Sequence, residues 1–399
     1  MWRKIKGKPV FGSFKERVGF VPKSKQKVVW IHAVSVGEVL SVQHVITELK
    51  KQNPDTLCYV TTGTLTGKNM AQQHLNADFV SFLPYDFLPS MWWAYCRINP
   101  SRVIIVEAES WPNLLMLAKL RRIPLYAINA RMSERSFGIM KRLSFIFSPL
   151  FNLFETIFTQ TCRDKTRFEQ LGVGAGKVKV LGNIKAFNVL QKRTHVENKD
   201  VLAIKKHEKG IYLLVGSVHP GELDVYLHLF KKLRKTRKNI KLILAPRHFN
   251  WKKELLQKVN ATGFSCAMWD ESKKEAFEHQ DILLVCMLGQ LFNLYRFADI
   301  FFLGGTFVPI GGHNLLEPAV WGIPSIVGPN YQNCRANADD LQQVGGLLKV
   351  NNEVELQNVV LELVDDQEKR TRMGRAAHEW LEFEAQNVKN FLKEFLKLI

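Results

Sequence analysis

The stretch DIFFLGGTFVPIGGHNLLEPAVWGIP (Asp299–Pro324) decides the fold. Its opening run, Asp299–Gly305, is apolar and aromatic without alternation, the pattern of a parallel strand buried on both faces. Gly311 and Gly312 supply a flexible turn, and HNLLEPAVWG then reads as a helix that packs back on the sheet with its first backbone N–H groups free. Free donors at the positive end of a helix dipole suit a phosphate. Glu317 lies one turn further on, where a carboxylate can accept hydrogen bonds from a ribose diol, although an acid there also complements the dipole. The paired glycines, followed by Gly322-Ile323-Pro324, make the segment more specific than a lone glycine-rich turn.

The same strand-turn-helix alternation runs outward in both directions. Upstream in this half it predicts strands at Gly210–Val218, Lys241–Arg247, Phe264–Trp269 and Asp281–Cys286, and downstream at Pro324–Pro329. The first half repeats it at Lys27–Val34, Leu57–Thr62, Phe79–Leu83, Val103–Val106, Leu125–Asn129, Ile157–Thr161 and Val178–Leu181. Two doubly wound α/β domains with a cleft between them are expected. The boundaries read as a basic segment at 1–26, a first domain at 27–184, a polar linker with one helix at 185–209, a second domain at 210–350 and C-terminal helices at 351–399.

Composition narrows the class. With 399 residues, 46% apolar and 23% charged, the chain is long enough for two cores and unlike a disordered or fibrous protein. It has no apolar run of spanning length and no apolar leader, so the sequence as given is expected neither to cross a membrane nor to be exported. Six cysteines stand singly, without zinc or redox spacing, and are expected to be reduced thiols. The net charge of +19 calls for an anionic partner. Residues 1–27 hold nine Lys/Arg against one acid, Glu16, beside Trp2, Phe11, Phe14 and Phe20, a mixture suited to an anionic membrane surface.

In open sheets of this type ligands bind beyond the carboxyl ends of the strands. There stand Glu38 in WIHAVSVGEV, a candidate general base that is also a plausible helix-capping acid, and the pair Glu107 and Glu109 in VEAESWPN, which strand alternation would put on one face. On the second domain the rule selects Ser217, His219 and Arg247. No Asp-x-Asp, Walker-type Gly-Lys-Ser/Thr or HExxH occurs, so no metal is expected, and a leaving phosphate would be stabilised by helix dipoles and cations.

Taken together, WIHAVSVGE, TTGTLTG, PYD, VEAESWPN, INARMSERSF, GSVHPGE, PRH and VPIGGHNLLEP resemble the Kdo (3-deoxy-D-manno-octulosonic acid) transferases of lipopolysaccharide assembly, from about Phe11 to Gly346. The resemblance implies the GT-B glycosyltransferase fold, CMP-Kdo as donor, the tetraacyl lipid A precursor as acceptor and no cofactor. It implies Glu38 as catalytic base and Glu107 and Glu109 as an acidic pair on the acceptor side. Ser217, His219, Arg247, Gly311, Gly312, His313, Asn314 and Glu317 would face the nucleotide, and Lys185 in GNIKAFN the Kdo carboxylate. It further implies inversion at the anomeric carbon and work at the cytoplasmic face of a Gram-negative-type inner membrane.

Three features depart from the family pattern. CMLGQL (Cys286–Leu291) replaces an Asp-Thr-Met-Gly-Glu-Leu-like run, Val218 replaces a usual threonine, and the longer apolar N-terminal anchor is absent, as a shorter anchor or a trimmed sequence would make it. A sugar-nucleotide epimerase shares the fold but has no use for a basic, aromatic first domain. A nucleic-acid-binding protein would explain the charge but not GGHNLLEP or Glu38, so no nucleic-acid partner is expected.

Overall fold

A computed structural model describes residues 14–107, 109–196, 210–270, 277 and 279–398. The chain divides into two compact units, Met1–Lys185 with Glu384–Ile399, and Ala186–Phe383.

The first unit holds seven parallel strands: β1 (Val28–His32), β2 (Leu57–Thr62), β3 (Phe79–Phe82), β4 (Pro100–Val106), β5 (Leu125–Ala130), β6 (Thr156–Thr159) and β7 (Val178–Val180). Their order is β3-β2-β1-β4-β5-β6-β7. The second holds β8 (Ile211–Val218), β9 (Ile240–Pro246), β10 (Cys266–Trp269), β11 (Ile282–Val285), β12 (Ile300–Leu303), β13 (Ser325–Val327) and β14 (Leu347–Lys349), ordered β10-β11-β9-β8-β12-β13-β14. The strands are apolar runs because helices cover both sheet faces: β1 is buried at every residue, and β8 at all but its first. Trp30, Tyr59, Tyr95, Tyr212, Tyr226 and Phe301 are among the fully enclosed side chains. At roughly 1.5–3 kcal/mol for each large apolar side chain removed from water, these cores supply the main driving force for folding.

Connections leave adjacent strands in diverging directions between β1 and β4 in the first sheet and between β8 and β12 in the second. Loops leaving adjacent strands on opposite sides open a crevice there, the usual ligand position in doubly wound folds.

Two expectations need correction here. The helix expected from His313 begins at Leu316 and lasts only to Val320. The glycines explain the delay: Gly311 and Gly312 have φ of 103° and 67°, and both N–H groups bond back to the Gly305 carbonyl at 2.9 and 3.1 Å. Alternation does not govern Glu107 and Glu109 either, because β4 ends at Val106 and Glu107 turns the chain with a φ of 60°.

Helix Ile184–Val196 occupies the start of the expected linker, whose residues 197–209 lie outside the described ones, as do residues 1–13 of the basic segment. The C-terminal helices serve both cores. Leu356, Val360 and Leu363 of helix Glu353–Asp365 are buried in the second unit, while Phe391 and Phe395 of helix Gln367–Leu398 pack on Phe158 in the first. No described helix is long and apolar enough to cross a membrane.

Candidate active site

Glu38 lies in the first turn of helix Val36–Gln52, which follows β1, and is 6% exposed. Ser35 caps that helix, and Glu38 reaches back as the acid of a capping box: its Oε1 accepts from the Ser35 hydroxyl at 2.8 Å and its Oε2 from the Val34 N–H at 2.8 Å. The capping role and the candidate catalytic role therefore belong to one side chain. Burial raises its pKa from 4.5 to about 7, the fields of Glu107 and Glu109 add to the rise, and the two hydrogen bonds offset part of it. A carboxyl poised near neutrality exchanges protons at the operating pH, which an ordinary capping glutamate does not.

The loop is held from below by His32. Its Nδ1 lies 3.0 Å from the Thr61 hydroxyl and 3.1 Å from the Thr61 carbonyl, and burial drives its pKa down to about 4, so the imidazole is a neutral strut. From the side, Arg17 donates to the carbonyls of Gly63 at 2.7 Å and Leu83 at 2.9 Å, tying together the loops after β2 and β3.

Across the switch point, Glu107 pairs with Arg131 at 3.1 Å, and Glu109 accepts from the Trp111 indole at 3.1 Å. Lys185 joins this group. Burial and the field of Arg131 lower its pKa, while Glu107 and Glu38 act to raise it. Lys185 thus lies among the acids of the first unit. Arg131 stands in the quoted INARMSERSF, just beyond the carboxyl end of β5. The chain on either side of it is fixed: Asn129 has a φ of 55° and its Oδ1 accepts from Gln160, and the Met132 N–H is held by Asp164 at 2.9 Å.

In the second unit, Ser217 closes β8 with a φ of 60°. A non-glycine residue in that region costs roughly 1–3 kcal/mol and persists where surrounding structure imposes it. His219 and His248 stand edge to face with centroids 5.9 Å apart, and the Arg247 N–H bonds the Val218 carbonyl at 2.9 Å. The pKa of His219 is lowered by burial and by the fields of His248, Arg247 and His313, and that of His313 by burial and Arg247 against Glu317. Arg247 and three imidazoles thus stand on the loops after β8, β9 and β12, a fixed cation with ring N–H donors near it, which suits a bound anion. Asn314 accepts from the Leu316 N–H at 2.9 Å, opening the short helix, and Glu317 in its first turn pairs with Lys192 at 3.1 Å. Gly311, Gly312, His313 and Asn314 therefore line a turn before the helix; the N–H groups of both glycines are already committed to Gly305.

Comparison with known proteins gives the family of the chain. The family described as 3-deoxy-D-manno-octulosonic-acid transferase (kdotransferase) matches residues 12–188, and the family of group 1 glycosyl transferases matches residues 196–380. A 3-deoxy-D-manno-octulosonic acid transferase of Chlamydophila psittaci is 33% identical over 80% of this chain and 73% of its own. Another, from Aquifex aeolicus, is 31% identical over 86% of this chain and 89% of its own. Among solved structures, a UDP-GlcNAc 2-epimerase from Neisseria meningitidis bound to UDP-GlcNAc superimposes with a TM-score of 0.61 at 14% identity, covering 92% of this chain and 100% of its own, a likeness of fold alone. Two parallel-sheet units built on the GT-B plan, with a kdotransferase first half and a glycosyltransferase second half, make this chain a member of the 3-deoxy-D-manno-octulosonic acid transferases.

Proposed function

We propose that the enzyme transfers Kdo from CMP-Kdo to a hydroxyl of the tetraacyl lipid A precursor in lipopolysaccharide assembly, by a single inverting displacement with Glu38 as general base. The observation that carries this reading is the buried Glu38 carboxyl at the switch point of the first sheet, with its pKa near 7. In the reaction the acceptor hydroxyl gives its proton to Glu38 as its oxygen bonds to the anomeric carbon. The bond from that carbon to the CMP phosphate breaks, CMP leaves with the electron pair, and the configuration inverts. Positive charge developing on the sugar favours the carboxylates of Glu107 and Glu109, and Arg131 and Lys185 offer cations to the Kdo carboxylate. Arg247, His219 and His313 take up the leaving charge, and Ser217 and the Gly311–Asn314 turn receive the nucleotide.

No cofactor or metal enters this scheme. No group of three or more His, Cys, Asp or Glu positioned to share a metal occurs among the described residues. The experiment is release of CMP from CMP-Kdo, measured with and without lipid A precursor and with EDTA present. Release that requires the precursor and is unaffected by EDTA supports the reading. Release without precursor rejects the acceptor, and EDTA inactivation reversed by magnesium rejects the metal-free scheme.

Glu317 is assigned to the donor ribose. Glu317→Ala is expected to raise the donor KM by about tenfold, the effect of losing one charge-assisted hydrogen-bond acceptor, with kcat little changed. A normal donor KM with a fallen kcat would move Glu317 into the chemical step.

Work on a lipid acceptor places the enzyme against the anionic cytoplasmic face of the inner membrane. The first unit exposes Phe87, Leu88, Trp92 and Trp93 around helix Leu88–Ile98, Phe20 stacks on Trp93 at 5.6 Å, and Arg121 lies over Trp92 at 4.4 Å. Aromatic rings beside cations suit a headgroup region. Neutralising Arg3, Lys4, Lys6 and Lys8, at ~1 kcal/mol per charge near an anionic surface, is expected to cut sedimentation with anionic liposomes and slow transfer to bilayer-embedded acceptor. Transfer to detergent-dispersed acceptor should stay near normal; an equal fall in both assays would remove this stretch as the membrane contact.

A further inference from the structure

One acid in the second unit has no part in the chemistry above, yet it ties together the loops that carry the donor-side residues. Glu222, in GSVHPGE, is fully buried. Its Oε1 accepts from the N–H groups of His219 at 2.9 Å and Gly305 at 2.6 Å, and its Oε2 from the Tyr226 hydroxyl at 3.0 Å and the Phe307 N–H at 3.4 Å. No ion pair to Glu222 is present among the described residues, so hydrogen bonds alone offset the cost of burying it; burial still raises its pKa.

Two of these bonds, from Gly305 and Phe307, join the loop after β8 to the loop after β12, on the two sides of the switch point, while those from His219 and Tyr226 fix Glu222 in its own segment. The connection extends further through one peptide. The Gly305 N–H is held by Glu222, while the Gly305 carbonyl accepts the N–H groups of Gly311 at 2.9 Å and Gly312 at 3.1 Å. The approach tolerates no side chain: a Cβ on Gly304 would lie 2.4 Å from the Ser217 carbonyl oxygen, and one on Gly305, whose φ is 73°, 3.1 Å from the His219 ring. A carboxylate is the side chain suited to the junction, since two oxygens accept from four donors on three segments, where an amide has only one acceptor atom.

We infer that Glu222 is the positioning residue of the donor site, locking the β8 and β12 loops into a single surface so that Ser217, His219 and the Gly311–Asn314 turn meet the donor in register. The inference rests on the donor reading given above. Glu222 acts through Gly305 and His219, and the nucleotide need not touch it.

The test is equilibrium binding of CMP to the full chain, with melting curves, for wild type, Glu222→Gln and Tyr226→Phe. Wild type is expected to bind CMP, and Glu222→Gln to melt cooperatively but bind about tenfold or more weakly. Tyr226→Phe removes one donor to the same carboxylate and leaves the loop amides bonded, so it should melt lower yet bind CMP within about twofold of wild type. Glu222→Gln binding like wild type, or both variants weakening in step with their melting temperatures, would reduce Glu222 to a structural acid. Should Glu222→Gln fail to fold, amide exchange in the wild type decides: the Gly305 and His219 amides should exchange at one rate and slow together on adding CMP, and independent exchange overturns the inference. Failure of wild type to bind CMP overturns the donor reading along with it, whereas binding by wild type with an indifferent Glu222→Gln overturns this inference alone.

Discussion

Glu38→Gln is expected to lower kcat by about 10²–10⁴ while leaving CMP affinity unchanged. The amide fills the same space, its oxygen can accept from Val34, and the Ser35 hydroxyl can turn to accept from its NH₂, so the cap of helix Val36–Gln52 survives. Stability should move the other way from activity. The carboxyl titrates near 7 in the folded chain against an ordinary 4.5, so the stability it contributes is full below about 4.5 and is lost as the pH rises through 7. Glutamine carries no such loss, and the variant should be more stable than wild type at pH 8 by an amount on the order of 2–3 kcal/mol. A structural capping acid predicts the opposite pairing, with activity kept and stability reduced. Turnover, CMP binding and denaturant melts at pH 5 and 8 separate the two.

Arg247→Ala is expected to cost about 10²–10³ in kcat/KM for the donor, the usual worth of a group aimed at charge that develops in the transition state. Its side chain is exposed at the carboxyl end of β9 while its backbone N–H is bonded to Val218, so the fold should be nearly indifferent, within about 0.5 kcal/mol. Its field lowers the pKa of both His219 and His313, and the variant should therefore titrate both imidazoles at higher pH. Proton NMR titration reads the second effect independently of turnover. A loss below tenfold with both histidines shifted would leave Arg247 near the site but out of the reaction.

The fourteen short strands among the described residues divide unevenly between what the sequence makes legible and what it conceals. Strands buried on both faces announce themselves as unbroken apolar runs, as YLLVGSV and IFFL do, and their order follows the doubly wound rule in the first sheet. The three residues of β14 carry too little pattern to stand out, and the insertion of β11 between β9 and β10 depends on where a crossover lands, which no local run encodes.

The site divides in the same way. Glu38 was visible because a strand-to-helix turn places an acid at the sheet edge. Its raised pKa was not, since that depends on burial and on Glu107 and Glu109, which stand on the loop after β4. The Gly311-Gly312 turn was legible as a turn but not as one whose amides bond Gly305 and delay the helix to Leu316. Arg131 and Glu222 both stand in quoted motifs, yet a braced arginine and a buried acid look like surface charges until their partners in distant segments are known.

The most direct measurement of the central claim, that Glu38 takes the proton of the acceptor hydroxyl, is the pH dependence of kcat in wild type and Ser35→Ala. A base with a pKa near 7 gives an acidic limb on which kcat rises tenfold per pH unit and levels above about 7. The Ser35 hydroxyl lowers that pKa, so its removal should shift the limb to higher pH while the plateau is largely retained. A limb that stays in place in Ser35→Ala, or that survives unchanged in the residual activity of Glu38→Gln, would assign the proton to another group and contradict the account.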